Sequence, residues 1–277
     1  MSRWRTVVSG VKRYVGRTTI SGVNGSDIDD AVSLLQRATV LDACRDGPVG
    51  RAAIAELADC SRSTAYRATS ELEEGDLLER TDRGYRLSGA GAATLDHVQQ
   101  FVRKLSGTRR LQPLLNYVDR PAFLRRAHLF EDAELVVQDG SSPYHIENRV
   151  QSLIDGTRER MVGMTTGLGS PALAEAMFDR IQEGVRVDWI LPTEMYEQFN
   201  DEYGDLSAQA VEDGQTAVSV LGEMPIDLAI YDETLVVIGF DRVRGILGCV
   251  AVTDEPAAVR WARGVFEDYR GESERVE

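Results

Sequence analysis

The stretch from Arg51 to Glu74 constrains this chain more than any other, because it reads as two short helices split by a turn. In the first helix Ile54, Leu57 and Ala58 fall on one face at helical spacing. Ala55 is small enough for a second helix to cross closely over it. Asp59 and Cys60 form the turn. Ser61 then supplies an N-cap for a second helix whose Ala65, Ala68 and Leu72 point back toward the first. This is helix-turn-helix grammar. What remains outward is Arg62, Ser63, Thr64, Tyr66 and Arg67, and no acidic residue interrupts that face until Glu71. Two guanidinium groups, short hydroxyls and one aromatic ring provide donors for phosphates and for guanine O6 and N7 in a major groove. An ordinary helical hairpin with a charged outer face has the same pattern, so the following residues decide between the two.

Those residues, Glu74 to Leu87, read as two short strands joined by Asp82-Arg83-Gly84, a hairpin with Arg83 at its tip. Helix, helix, turn, helix and hairpin in this order resemble the archaeal and bacterial winged-helix transcription regulators. The phrase Gly84-Tyr-Arg-Leu-Ser-Gly-Ala-Gly91 looks like the wing-to-helix junction of that group. One departure is Asp59, where the turn commonly holds Gly; Asp tolerates the left-handed conformation better than most residues. The resemblance implies a double-stranded DNA partner, with Arg51, Ser61, Arg62, Ser63, Thr64, Tyr66, Arg67 and Arg83 as the candidate contacts.

A formal charge of −14 argues against such a partner at first, because phosphate contacts need local positive potential. The distribution answers the objection: residues 1–110 hold 17 basic and 14 acidic side chains, and residues 111–277 hold 14 and 31. The basic surplus is therefore expected on the side of the motif. Lysine occurs only as Lys12 and Lys104, beside 29 arginines and 45 acidic residues. Abundant carboxylates with almost no lysine point to a cytoplasm of very high salt, as in halophilic archaea, although a GC-rich genome also favours Arg. No apolar run approaches the roughly 20 residues of a membrane span, and Met1-Ser-Arg-Trp-Arg lacks the apolar core of a secretory signal. The expectation is a cytoplasmic chain with no membrane partner. Cys44, Cys60 and Cys249 are odd in number and widely spaced, which suits free thiols rather than disulfides or a zinc cluster.

In order along the chain, residues 1–25 form a basic, flexible tail, and residues 26–88 form the winged domain. That domain opens with a helix carrying Ile28, Ala31, Leu34, Leu35, Ala38 and Leu41 and ending at Gly47-Pro48. Residues 89–130 are a helical linker. Its first helix bears Leu95, Val98, Phe101, Val102 and Leu105, a stripe suited either to a homodimer contact or to packing on its own domain. Residues 131–271 turn to α/β texture. Strand candidates 134–138, 160–165, 185–191 and 216–220 alternate with helices 144–155, 171–183 and 193–212, which predicts a parallel sheet with right-handed crossovers. Three further strands, 226–231, 234–240 and 245–252, are joined by short links and are expected as an antiparallel meander on one edge, before a last helix over 256–270. The fold class is thus α+β: an N-terminal winged helix-turn-helix domain, then a C-terminal α/β domain with a mostly parallel sheet and a meander edge.

The second half resembles the regulator domain behind winged helices in archaeal regulators of the methanogenesis-regulator (FilR) type. The likeness rests on Leu129-Phe-Glu-Asp-Ala-Glu-Leu-Val-Val137, Pro143-Tyr-His-Ile-Glu-Asn-Arg149, Met224-Pro-Ile-Asp-Leu-Ala-Ile-Tyr-Asp232 and Asp254-Glu-Pro-Ala-Ala-Val-Arg-Trp-Ala262. It also looks like one half of a phospholipase D fold. A phospholipase D site needs His and Lys two apart on a strand, and neither is present in Asp227-Leu-Ala-Ile-Tyr-Asp232. His97, His128 and His145 lack such a lysine. Gly167-Leu-Gly-Ser170 precedes a helix but lacks the pattern of a phosphate-binding loop, and no nucleophile elbow or metal-spaced cluster occurs. The expectation is a non-enzyme without cofactor or metal: a transcription regulator whose second domain senses a small molecule or mediates assembly. The rivals are a constitutive regulator with a purely dimerising second domain and a degenerate phosphodiesterase. For a small-molecule effector, the carboxyl ends of the parallel strands offer Ser141, Ser142, Thr165, Thr166, Gly167 and Thr193, with Tyr144 as an apolar wall. The plainer alternative is that these hydroxyls cap helices.

Overall fold

The helical patterns of the first hundred residues become α1 (Gly25–Ala43), α2 (Arg51–Leu57) and α3 (Arg62–Glu74), followed by β1 (Leu78–Thr81), β2 (Gly84–Leu87) and α4 (Gly89–Arg110) in a computed structural model. It describes residues 24–118, 121–138, 144–167, 169–212, 214–241 and 246–276. The expected basic tail of residues 1–25 lies almost wholly outside the described residues. The chain divides into two compact units, one ending at Arg103 and the other beginning at Lys104.

In the first unit α1 buries only its C-terminal half, at Ala38, Val40 and Leu41. Val40 and Leu41 pack with Ile54 and Ala55 of α2, Ala65, Ala68 and Leu72 of α3, Leu78, Tyr85 and Leu95. Leu57 departs from the expected inner face and is 58% exposed. α2 is seven residues long, so it turns only one narrow stripe inward, and Ile54 and Ala55 fill it. The hairpin gains a third partner, because Val49 and Tyr85 exchange N–H···O bonds of 2.8 and 2.9 Å. Only glycine serves at position 84: φ is +127°, and a Cβ would lie 2.3 Å from the Val49 carbonyl oxygen.

In the second unit α5 (Pro121–Leu124) leads into an eight-stranded sheet. Its strands are β3 (Glu134–Val137), β4 (Arg160–Met164), β5 (Arg186–Leu191), β6 (Thr216–Val220), β7 (Asp227–Tyr231), β8 (Thr234–Asp241), β9 (Ile246–Thr253) and β10 (Glu274–Arg275). The helices between and after them are α6 (His145–Gly156), α7 (Pro171–Gln182), α8 (Thr193–Glu212) and α9 (Pro256–Glu272). The spatial order is β10-β6-β5-β4-β7-β8-β9-β3. β3, β4, β5, β6 and β8 share one direction, as strand–helix alternation requires. Only β4/β5 and β5/β6 are bonded as parallel neighbours, however, and the remaining pairs are antiparallel.

This corrects two expectations. The mostly parallel sheet is mixed, with more antiparallel than parallel pairs. The meander β7–β9 sits inside the sheet, between β4 and β3, not at an edge. The physical reason lies in its composition. β8 and β9 alternate between two cores, with Leu235, Val237, Cys249 and Ala251 facing one and Val236, Ile238, Val250 and Val252 the other. Strands apolar on both faces belong in the middle of a covered sheet, whereas the short, half-exposed β3 suits an edge. One face is covered by α9 with Phe123, Phe130 and Trp261 in edge and tilted ring contacts. The other is covered by α6 and α7. The last strand, β10, lies past the expected domain end at residue 271.

Candidate nucleic-acid interface

The outward face of α3 begins at its cap. Ser61 accepts the Thr64 backbone N–H at 3.1 Å, and its hydroxyl lies 2.9 Å from Ser63 Oγ and 2.8 Å from Thr64 Oγ1. Three exposed hydroxyls thus cluster beside the free N–H groups of a helix N-terminus, where an anion is stabilised. Asp59 holds φ at 50°, the left-handed conformation that the turn between α2 and α3 demands. From that start Arg62, Ser63, Thr64, Tyr66 and Arg67 are all exposed, while Ala65, Ala68 and Leu72 are buried. Tyr66 is 56% exposed despite its ring. Farther along, Glu71 is ion-paired with Arg37 of α1, which removes the first negative charge from the helix surface.

Arg51 sits differently from the other candidates. Its guanidinium lies 4.2 Å over the Tyr66 ring and 5.0 Å from the Tyr85 ring. It also donates to Thr69 Oγ1 at 3.1 Å and Ser70 Oγ at 3.3 Å. Thr69 is fully buried and donates onward to the Tyr66 carbonyl at 3.0 Å. Arg51 therefore ties α2, α3 and the wing together by a cation–π stack and two hydrogen bonds, and it presents little of its charge to solvent. At the wing, Arg83 is exposed at the tip, with its backbone N–H on Thr81 Oγ1 at 3.2 Å. Arg86 is engaged by Glu79 at 2.6 Å. Arg80, exposed and opposite Tyr85 in the ladder, joins the candidate set. The alternation of the strand, with Glu79 opposite Arg86 and Arg80 opposite Tyr85, is the signal that separates it from Arg86.

The expected basic surplus needs correction. Within residues 26–88 eight basic side chains meet 13 acidic ones, so the excess in residues 1–110 comes from the tail and from the end of α4. Positive potential at this face is local, set by where Arg62, Arg67, Arg80 and Arg83 stand. In α4, Leu95 and Val98 are buried within their own unit while Phe101 is 48% exposed, so only part of the expected stripe faces outward.

In the second unit the candidate effector residues are dispersed. Ser141 and Ser142 lie outside the described residues. Tyr144 is 66% exposed at the start of α6, and Thr193 is exposed at the first position of α8. The Thr166 backbone N–H donates to the Asp227 carboxylate. Thr165 is buried, and its hydroxyl bonds the Gly167 carbonyl at 3.1 Å. Thr165 and Gly167 do share a cavity of about 130 Å³ between the sheet and α7, which Tyr144, Thr166 and Thr193 do not line. At the opposite strand ends Asp232, with φ 51°, accepts backbone N–H groups from Arg158, Glu159 and Arg160 at 2.8 to 3.0 Å. Burial pushes its carboxyl up. The three N–H donors and the Arg158 charge outweigh that and hold it below its ordinary value. Burial raises the thiols of Cys44 and Cys249 to about 11, and all three cysteines are free. Among the described residues no cluster of three metal-ligating side chains forms, and no helix is long and apolar enough to cross a membrane.

Two family models match the chain. Residues 25–110 match the HVO_A0261 N-terminal domain, and residues 143–272 match the middle domain of methanogenesis regulatory protein FilR1. The FilR-type resemblance therefore holds, and three of the four phrases that carry it fall inside the second match. The chain is also similar to methanogenesis regulatory protein FilR1 of Methanothrix harundinacea (strain 6Ac), 24% identical over 228 residues, which cover 78% of this chain and 50% of that protein. It thus spans about half the length of that curated relative. Among solved structures, TrmBL2, described as an archaeal chromatin protein with a novel mode of DNA binding, aligns at a TM-score of 0.43. Its identity is 13%, over 98% of this chain and 99% of its own. NucT from Helicobacter pylori aligns at 0.41 with 16% identity, over 52% of this chain and 98% of its own. Scores of this size do not establish a shared fold.

Proposed function

We propose that this chain, an HVO_A0261-type N-terminal domain joined to a FilR1-middle-type domain, is a sequence-specific DNA-binding transcription regulator. One observation carries the reading: a single helix face exposes Arg62, Ser63, Thr64, Tyr66 and Arg67, with no acidic residue in the helix before Glu71, next to a wing that ends in Arg83. In this reading α3 enters the major groove of double-stranded DNA. The hydroxyls of Ser61, Ser63 and Thr64 and the helix N-terminus meet a phosphate. Arg62 and Arg67 reach base edges, and Arg83 and Arg80 grip the backbone beside them. Arg51 acts through Tyr66, holding its ring toward the duplex, and is a positioning residue. Methanogenesis regulatory protein FilR1, to which the chain is similar, is named as a regulator, which supports the same role here.

The second domain serves as a receptor for a small molecule in this proposal, and α4 provides the contact of a homodimer. A constitutive regulator whose second domain only assembles copies is the rival reading; the exposed Phe101 on α4 supports a dimer contact under either reading and does not choose between them. The phosphodiesterase reading is weaker, because the β7–β8 hairpin carries neither the His nor the Lys that such chemistry needs.

The test is selection of a binding sequence from random duplexes, followed by titration of Arg62→Ala and Arg67→Ala. Each is expected to lose about 1–3 kcal/mol of affinity and to relax preference at one base pair. Unchanged affinity in both variants would show that another element reads the DNA.

A further inference from the structure

We infer that the cavity between the sheet and helices α7 and α8 is a binding site for a neutral, largely apolar small molecule bearing one hydroxyl or carbonyl. This deepens the reading of the second domain as a receptor and rests on it. The cavity measures about 130 Å³ and is walled by Leu173, Met177, Trp189, Phe199, Phe240 and the buried Thr165. A smaller chamber of about 50 Å³ adjoins it, sharing Met177, Trp189 and Phe199. An engineered apolar cavity of about 150 Å³ admits benzene, so the larger chamber suits a single ring.

The chemistry of the walls selects the ligand. No charged side chain lines either chamber among the described residues, and burying an ion there without a partner costs far more than one contact returns. Phosphorylated and carboxylated ligands are therefore disfavoured, and a sugar would leave most of its hydroxyls unpaired. One polar group stands out. Thr216 is 7% exposed, lines the smaller chamber, and its Oγ1 has no hydrogen-bond partner among the described residues. A buried hydroxyl left so is unfavourable, and a ligand hydroxyl or carbonyl reaching it would relieve that cost. Met177 stands between the chambers with a flexible, polarisable thioether able to re-pack around a ring.

Two further features fit a ligand site rather than a packing fault. Gly167 leaves room for the Phe240 ring, since a Cβ there would lie 2.4 Å from it. The outer wall is α8, whose backbone leaves helical geometry at Tyr203 (φ −126°, ψ 17°), next to Gly204. Phe199 and Tyr203 meet in a tilted ring contact, centroids 5.3 Å apart, at that break, and both line the cavity. The cavity is therefore closed by a helix already interrupted where a ligand would press on it.

The experiment uses the full chain with phenol, indole and toluene as probes, and with glucose and inorganic phosphate as contrasts. Calorimetry, thermal shift and affinity for the selected DNA are read together. Saturable binding of phenol and indole, with a rise of a few degrees in Tm, is the expected result. Ala174→Phe, which fills the larger chamber from α7, should abolish that binding without lowering the Tm of the free protein. Thr216→Val should weaken phenol about fivefold and leave toluene unchanged, a split that a merely structural threonine would not produce. Binding of glucose or phosphate but of no aromatic probe would overturn the assigned ligand class while sustaining the receptor reading. Aromatic binding blocked by Ala174→Phe but without effect on DNA affinity would support the site and sink the receptor reading. No binding of any aromatic probe up to its solubility would overturn the site itself.

Discussion

The outward face of α3 with the wing tip and the sheet unit use their arginines differently, although the first unit also pairs Arg37, Arg45 and Arg86 with carboxylates. In the winged unit Arg62, Arg67 and Arg83 extend from exposed positions, and among the described residues no ion pair or side-chain hydrogen bond ties them down. In the sheet unit Arg149, Arg160, Arg180, Arg263 and Arg270 are each held by carboxylates. The aromatic-walled cavity beside α7 has no charged lining among the described residues. A guanidinium that is paired has its donors satisfied and little left for a phosphate. An unpaired one on a short helix is available for recognition. The contrast separates an outward, cation-bearing surface from an inward, apolar one within a single strongly acidic chain.

That contrast can be broken first in the sheet unit. Asp232→Ala removes the acceptor of three backbone N–H groups at the β4 entrance, and we expect a loss of about 3 kcal/mol in unfolding free energy. The pH dependence follows from its lowered carboxyl. The ionised form is favoured in the fold, so the contribution is complete above the ordinary carboxylate range. It disappears as pH falls through the depressed value. Denaturant melts of parent and variant should therefore converge in acid, and a gap that persists there would assign the loss to something other than charge.

Arg51→Ala is expected to act on both properties at once. It should lower stability by about 1–2 kcal/mol and weaken every DNA sequence, because Tyr66, Thr69 and the wing lose their common support. Arg62→Ala should leave the Tm nearly unchanged, so a stability loss there equal to that of Arg51→Ala would erase the distinction between positioning and reading. Arg83→Ala is smaller still. We expect about 1 kcal/mol lost on all sequences alike and a salt slope reduced by about one, measured by anisotropy across KCl concentrations. The smallest expected effect per residue is that of salt on the sheet unit. Its surplus carboxylates repel in dilute buffer, so the Tm should climb by a few degrees as KCl rises toward molar concentrations. A steady fall would remove the high-salt reading.

What could be read in the sequence was local. The α2–α3 pair, the Ser61 cap, the left-handed Asp59 and the wing each depend on contacts between residues close in the chain, and each stands where the spacing places it. Strand positions in the sheet unit were also legible, since β4, β6 and β8 show their own apolar runs. Their order was not. β3 crosses from its place in the sequence to the far edge beside β9, and no pairing preference within four residues specifies that partner. The signal that the meander is central was present in Leu235 to Phe240, whose unbroken apolar run has no solvent-facing side. The cavity was half legible: Thr165 and Gly167 follow from the strand end. Trp189, Phe199 and Phe240 come from three separate elements and converge only in the folded sheet. Arg51 was misleading for the same reason, because Tyr66 and Tyr85 lie 15 and 34 residues away along the chain.

The bond pair between Val49 and Tyr85 has a mechanical consequence. It fastens the hairpin to the segment that opens α2, while Arg51 fastens α2 to α3. In the proposed DNA-binding role, hairpin tip and α3 would be two jaws of a caliper whose gap is set inside the protein. A duplex gripped by both must bring its grooves to that gap, and sequences that already have the right groove width, or deform to it cheaply, gain affinity at base pairs no side chain touches. Loosening the jaw at Gly84, where any Cβ collides with the Val49 carbonyl, would let mismatched grooves in: tolerance for the wrong DNA would rise before affinity for the right one fell.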